Sequence, residues 1–450
     1  MLHRLSFLFL LGIVPAYPQG DPSSAMLQQI LQRLDRLEKQ NQKLMQEVTA
    51  LRQQLAAQSQ PAATSAATPK SPSLQQQVAV NQARIAEQAQ TKVEAAHKYP
   101  VKLTGLVLFN AFSNTESRNG DAVSDQGLLG DSYGDGATMR QTLLGFKFHG
   151  PALPGDGHVD GSLTMDFWGG SAVTGSNWFR LRRAEISLNW RNRSFMVGQD
   201  KPLISPYNPD SLAEVGVPPL AGAGNFWFWL PQARYEEHVR MGTNWGINGQ
   251  VAVLQTGGTA YRSTEESYGY VEPVKPALEG RLAIWHRFND TQRFEVAPGF
   301  HISSDHVGGA SVGSRIESLD WLIAPSSRLN VTGAVFTGRN VAGLGSLGNG
   351  VVMGANGIAH AVHSSGGWAQ VAVPVTSRLT LNIFGGLEED SDAEANASTI
   401  ARNWSYASNL IYHLSSNVVI GLEGLQMRTH SGLDIPGVQN RYDLAVGYLF

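Results

Sequence analysis

The chain has 450 residues, 48 of them glycine and none cysteine, and only 16% are charged, against about 25% in an average soluble domain. A formal net charge of −3 carries no nucleic-acid or polybasic-membrane signal, and the lack of cysteine excludes a disulfide scaffold, thiolate metal sites and cysteine catalysis. Beyond the N-terminal stretch no apolar run approaches the roughly 18 residues a spanning helix requires, so any membrane crossing is made by strands.

Residues 1–16 read as an export signal. Arg4 supplies the basic start, residues 5–14 (LSFLFLLGIV) the apolar core, and the small side chain of Ala16 a cleavage point. No cysteine follows to carry a lipid anchor, so the mature chain must fold its own way into any membrane.

Residues 21–57 read as a parallel coiled-coil stalk. Leu27, Ile30, Leu34, Leu37, Asn41, Leu44, Val48, Leu51 and Leu55 alternate spacings of three and four, an unbroken a/d register. Asn41 is the polar a position that sets register, and Arg33 with Glu38 and Glu47 with Arg52 are opposite-sign g/e pairs between parallel helices. The a/d mixture does not select the number of helices. Residues 58–73 (QSQPAATSAATPKSPS) form a Pro/Ala/Ser linker, and residues 74–97 a weaker helical segment with Leu74, Val78 and Ile85 on one side.

From residue 100 to 450 the period switches to two. Val101, Leu103, Gly105, Val107 and Phe109 alternate with Lys102, Thr104, Leu106, Leu108 and Asn110. Comparable runs centre on Phe146, Met165, Ile186, Leu282, Val296 and Leu381. Spanning strands of about 9 to 11 residues carry this alternation between turn residues. The connectors alternate too. Short ones lie at 190–194, 288–292, 325–328, 374–377 and 413–417, and long Gly/Asp/Ser-rich ones at 113–136, 200–230, 257–276, 338–356 and 387–401. Short turns on one side and long loops on the other describe an all-β, transmembrane antiparallel barrel of about 16 strands, preceded by the N-terminal α-helical coiled coil.

The chain ends on an aromatic face at strict period two: Tyr442, Leu444, Val446, Tyr448 and Phe450. This final strand, RYDLAVGYLF, resembles the terminal strand of bacterial outer-membrane barrels, in which the last aromatic belongs to the membrane-assembly signal. The order of export signal, heptads, linker and barrel resembles the DcaP-like trimeric porins, with a weaker similarity to the phosphate-selective porins. Residues 179–202, a strand, turn and strand ending near Gly198 and Gln199, look like a segment those families share. The resemblance implies a homotrimer in outer-membrane lipid, and it makes 200–230 the loop that folds inward as a constriction. Its candidate residues are Tyr207, Asp210, Glu214, Phe226, Trp227, Phe228 and Trp229. The aromatics either stack a solute or pack the loop on the wall.

With apolar faces outward, the inward side chains are Lys147, Asp160, Asp166, Arg183, Glu185, Arg234, Glu236, His238, Arg240, Glu279, Arg281, Arg287, Arg293, Glu295 and Asp320. Seven are basic, seven acidic and one is histidine, so the count selects neither ion sign. They either line a water-filled pore or pair across strands in a plugged interior.

Enzyme motifs lack their context. Residues 309–313 match a nucleophile elbow around Ser311, but between strands; residues 343–348 match a dinucleotide fingerprint with no helical pattern after it. The acidic run Glu388, Glu389, Asp390, Asp392 and Glu394 reads as a solvated loop rather than a cation site. The expectation is a porin for passive diffusion of small hydrophilic solutes, with no chemical step, no cofactor and no metal. The alternative is an envelope anchor whose periplasmic stalk meets the cell wall.

Overall fold

The computed structural model describes residues 101–450 except 116–121, 123–124, 128–133, 171–176, 258, 263–267, 290, 308, 348–349, 354–356, 392–399 and 432–435. The export signal, coiled coil, linker and second helical segment lie outside the described residues.

The strands are β1 (Val101–Asn114), β2 (Gly134–Thr138), β3 (Leu143–Leu153), β4 (Gly157–Gly169), β5 (Trp178–Asn189), β6 (Arg193–Asp200) and β7 (Leu230–Met241). There follow β8 (Trp245–Leu254), β9 (Thr259–Arg262), β10 (Tyr268–Arg287), β11 (Arg293–Val307), β12 (Ala310–Ser326), β13 (Leu329–Arg339), β14 (Val351–Met353) and β15 (Ala359–Ala361). The last are β16 (His363–Pro374), β17 (Leu379–Asp390), β18 (Ile400–His413), β19 (Val418–Ser431) and β20 (Pro436–Leu449).

Sixteen of these strands pair antiparallel with their neighbours, and β1 pairs with β20 to close the barrel. The other four belong to the loops: β2 pairs the upper part of β1, β9 forms a hairpin with β10, and β14 pairs β15. Among the described residues, closure leaves the sixteen-stranded sheet itself without a free edge, which lipid demands of any spanning sheet. Between the sixteen strands, seven turns of two to five residues lie on one side; the other side carries the long connections together with the two short joins between β11 and β12 and between β19 and β20.

The pleat sorts the side chains. On β1 and β20, Val107, Phe109, Leu444, Val446 and Tyr448 are exposed on the outward face, while Leu106, Leu108, Asn110, Ala445 and Asp443 between them are buried inside. Exposed apolar side chains in such a continuous belt suit hydrocarbon contact. The final residue completes the ladder: Phe450 and Gly105 exchange backbone hydrogen bonds of 3.0 and 3.2 Å. The Phe450 ring occupies the space a Cβ on residue 105 would need, 2.4 Å from that position.

Several strands run further than the sequence indicated. β17 extends to Asp390, so the acidic run is not a solvated loop: Glu388 and Asp390 are buried at 0% and 2% exposure on the inward face. Glu388 accepts from the Leu347 amide at 3.1 Å, and Asp390 accepts from Ser364 at 2.6 Å. Period two simply continues through the acidic stretch and turns every second carboxylate inward. Glu389 points outward to Arg402, and Asp392 and Glu394 lie outside the described residues. The loop read at 338–356 likewise begins after β13, at 340, and holds the 3-10 turn Ala342–Leu344 where the glycine fingerprint was found. Ser311 stands at the start of β12 with its Oγ 2.7 Å from that of Ser304, and the chain continues as strand.

Candidate functional site

The connection 201–229 enters the barrel and is tied to strands around its interior. A backbone withdrawn from water must find its partners inside. Gln232 holds the carbonyls of Asp200 and Lys201, both at 2.9 Å. The Leu203 amide donates to buried Glu279 on β10 at 2.7 Å, and His301 on β11 meets the other Glu279 oxygen at 2.9 Å. Tyr207 donates to Glu295 at 3.0 Å. Asp210 exchanges two hydrogen bonds with Gln370 of β16, at 2.6 and 2.7 Å, and its carbonyl accepts from Asn409 of β18 at 2.7 Å. Ser211 donates to Glu423 of β19, and Asn110 of β1 donates to the Leu212 carbonyl. Gln141 grips Ala213, Val215 and Gly216 together. The loop residue Glu214 is buried, and burial followed by the Glu423 charge raises its carboxyl well above the usual range.

Glu279 is therefore a latch. Glu279→Ala strands the Leu203 amide and His301 in a dry interior, at about 1–3 kcal/mol per unsatisfied group. The expected outcome is a barrel that still folds, as heat-modifiable migration shows, but whose 201–229 segment is cut by added protease where the parent's is not.

The four loop aromatics divide between two tasks. Phe226 is buried against Phe336 with ring centroids 4.3 Å apart, and Phe228 packs on the same cluster. The Trp227 and Phe228 amides donate to the Leu344 carbonyl at 3.1 and 3.2 Å, so the inward loop is stapled to the 340–362 loop. Trp227 meets both Phe228 and Trp229 edge-on. Trp229 instead lies under two guanidinium groups, Arg182 at 4.4 Å and Arg180 at 5.3 Å from its ring centre.

A bulge brings those arginines inside. Along the β4–β5 ladder Thr164 faces Arg183 but Met165 faces Leu181, so Arg182 is the extra residue and strict alternation fails. Gln199 on β6 satisfies the displaced backbone, donating to the carbonyls of Leu181 and Arg182 at 3.1 and 3.2 Å. Gly198 precedes it at φ 154, where a Cβ would lie 2.0 Å from the Ala184 carbonyl oxygen. The Gly-Gln pair noted in the sequence thus accommodates the bulge.

The bulge and the start of the loop enclose a cavity of about 420 Å³. Arg182, Arg183, Lys201 and Arg234 line it against a single carboxylate, Asp200, which takes Arg183 at 2.7 Å and Arg234 at 3.5 Å. Lys201 donates to two neutral acceptors, the Tyr207 carbonyl at 2.7 Å and Asn208 at 2.6 Å. Burial pushes its ammonium down to about 7; the nearby Asp200 opposes this, and Arg183 and Arg182 add to it.

The fifteen side chains assigned inward from the sequence all alternate with the outward belt residues in the strand registers. Asp166 takes Arg180 at 2.5 Å and Arg182 at 3.5 Å. Asp160 pairs with His149 and His158, Glu185 accepts from Ser162 and Arg183, and Glu236 lies near Arg234 and His238. Arg281 joins Asp320 at 2.6 Å and Glu295 at 2.8 Å. Lys147, Arg240, Arg287 and Arg293 stand exposed towards the short turns without an ion pair among the described residues.

Sequence reasoning missed Arg180, Arg182 and Lys201, and also Glu388, Asp390, Glu423, Arg441 and Asp443 on the opposite wall. Asp443 was accessible to the same period, since it alternates with Tyr442 and Leu444; Arg182 was not, because the bulge breaks that period. The interior therefore carries a cation-rich wall on β5–β7 and a carboxylate-rich wall on β17–β20.

These features define a closed sixteen-stranded antiparallel barrel with an inward third loop. Among solved structures, the outer membrane channel DcaP of Acinetobacter baumannii superposes with a TM-score of 0.63 at 18% identity, covering 78% of this chain and 97% of that one. An anion-selective porin from Comamonas acidovorans gives 0.54 at 16% identity, covering 78% and 99%. OmpF of Salmonella typhi, in complex with daunomycin, gives 0.50 at 12% identity, covering 78% and 97%. No family model matches the chain, and no curated protein matches it. The fold is that of a DcaP-like porin.

Proposed function

We propose that this protein is an outer-membrane porin: a passive, energy-independent channel for small hydrophilic solutes, with a preference for anions. The observation that carries the anion preference is the cavity beside the inward loop, where three arginines, joined by Lys201 once it is protonated, face one carboxylate. The unpaired cations near the short turns, Lys147, Arg240, Arg287 and Arg293, add the same sign at the periplasmic mouth. The likeness to solved porins supports the channel reading, and the basic wall the selectivity. On this reading the protein assembles as a homotrimer, with the heptads of 21–57 as a periplasmic stalk.

Single-channel recording of the full-length protein in a planar bilayer under a potassium chloride gradient tests both statements. The expected record is stepwise conductance closing in threes, with a reversal potential of anion-selective sign. A folded, heat-modifiable barrel that never conducts would overturn the channel reading; a cation-selective reversal potential would overturn the anion preference alone. Deleting 21–73 should leave the unit conductance of each barrel unchanged.

Lys201 makes the selectivity pH-dependent. Its folded pKa of about 7 lies below the ordinary lysine value, so lowering the pH from 8 to 6 adds a positive charge to the cavity. The anion-to-cation permeability ratio should rise over that interval, and Lys201→Met should flatten the rise.

A further inference from the structure

The outward face carries a second charged feature, separate from the lumen. Arg315 on β12 and Arg339 on β13 are direct cross-strand partners, and His363 on β16 is the next partner beyond Arg339. All three are exposed and share the face that carries Leu319, Val335 and Val371. Like charges placed opposite each other on adjacent strands are destabilising unless an anion sits between them. One carboxylate is present: Glu317 accepts from Arg315 at 2.9 Å. Arg339 has no ion pair among the described residues. Together with Thr337, these side chains line a shallow groove of about 230 Å³.

The position of the groove restricts its occupant. It lies towards the loop end of β12 and β13, away from the turn that joins them at 327–328, so on the proposed orientation it meets the outer leaflet. Solutes in the lumen cannot reach it, because the wall separates the two faces. Towards the short turns the same face becomes apolar through Leu319, Val335, Trp321 and Val331. A ligand that satisfies the whole surface carries a phosphate at one end and acyl chains at the other. The planar forks of two arginines match phosphate oxygens in geometry as well as in charge.

We propose that the groove formed by Arg315, Arg339, Thr337 and His363 binds the phosphate of an anionic lipid headgroup in the outer leaflet, with the acyl chains lying along the apolar belt below. The site rests on the outer-membrane reading but not on conduction.

The test uses full-length protein in detergent, with bisphosphorylated lipid A as the probe and native mass spectrometry as the readout. Arg315→Gln with Arg339→Gln should weaken retention about tenfold, the scale of one lost charge-assisted contact. Glu317→Gln, which removes the competing carboxylate, should tighten it. Dephosphorylated lipid A should bind parent and variants alike, and inorganic phosphate at millimolar concentration should not displace the lipid. Conductance and heat-modifiable migration report that each variant is folded and that its lumen is unchanged. Equal retention of bisphosphorylated lipid A by the parent, the double variant and Glu317→Gln would overturn the proposal. So would displacement by free phosphate, which would make the groove a plain anion site. Loss of trimers with lipid retention unchanged would also overturn it, and would assign the face to contact between copies of the chain. Should the double variant fail to fold, the Glu317→Gln comparison decides the question.

Discussion

On the proposed anion preference, reversing two charges in the cavity, Arg183→Glu with Arg234→Glu, is expected to convert the channel from anion-selective to cation-selective. The parent cavity sets Arg182, Arg183, Lys201 and Arg234 against Asp200; the variant sets Arg182 and Lys201 against three carboxylates. A unit charge at 4 Å is worth about 1 kcal/mol even at the dielectric of bulk water, and about 4 kcal/mol near a protein surface. Each reversal therefore changes the local concentration of a permeating ion by at least about fivefold at the narrow section. The reversal potential under a salt gradient should change sign, and the shift should shrink as salt rises, because screening shortens the range of the field. Unchanged selectivity would mean that the permeating path avoids this cavity. Asp200 supplies an internal check. It loses both of its arginine partners in the variant, so adding Asp200→Asn should recover part of the lost anion permeability.

Arg281→Ala should produce the largest loss of stability. The Arg281 side chain is 4% exposed and its guanidinium donates to Asp320 through two nitrogens, at 2.8 and 2.6 Å, as well as to Glu295 and Gln250. Truncation leaves Asp320 buried without its counter-ion, and breaking a buried pair from one side costs about 3–5 kcal/mol. Replacing both partners with apolar groups, as in Arg281→Met with Asp320→Leu, should cost much less, because no charge is left stranded. Urea unfolding of vesicle-inserted protein would separate the two cases. The loss should also reach the loop: Glu295 is the acceptor for Tyr207, so Arg281→Ala should add conductance noise that the double variant reduces only in part.

The barrel was legible because its rules are local. A strand with lipid on one face must alternate at period two, and a membrane of fixed thickness sets strand length, so the runs and the alternation of short and long connectors were enough to count about sixteen strands. Much of the site was not legible, and for definite reasons. Arg182 enters the interior through a bulge whose partner, Gln199, stands on the next strand, and a one-residue insertion cannot be read from the period it interrupts. Strand ends were set too early at Leu387, since a run of acidic residues looks like loop until the neighbouring strand shows that Glu388 and Asp390 have partners inside.

The all-β barrel, the closing aromatic strand and the position of the long third connector could be read along the chain, because each follows from residue spacing and from the need to satisfy backbone groups in lipid. Which charges meet is set by the fold. A count of seven cations and seven anions has no sign, whereas the fold gathers Arg182, Arg183, Arg234 and Lys201 on one side and Glu388, Asp390, Glu423 and Asp443 on the other. Coulomb energy depends on separation in space, and separation in space is fixed by strand register, bulges and the path of the inward loop.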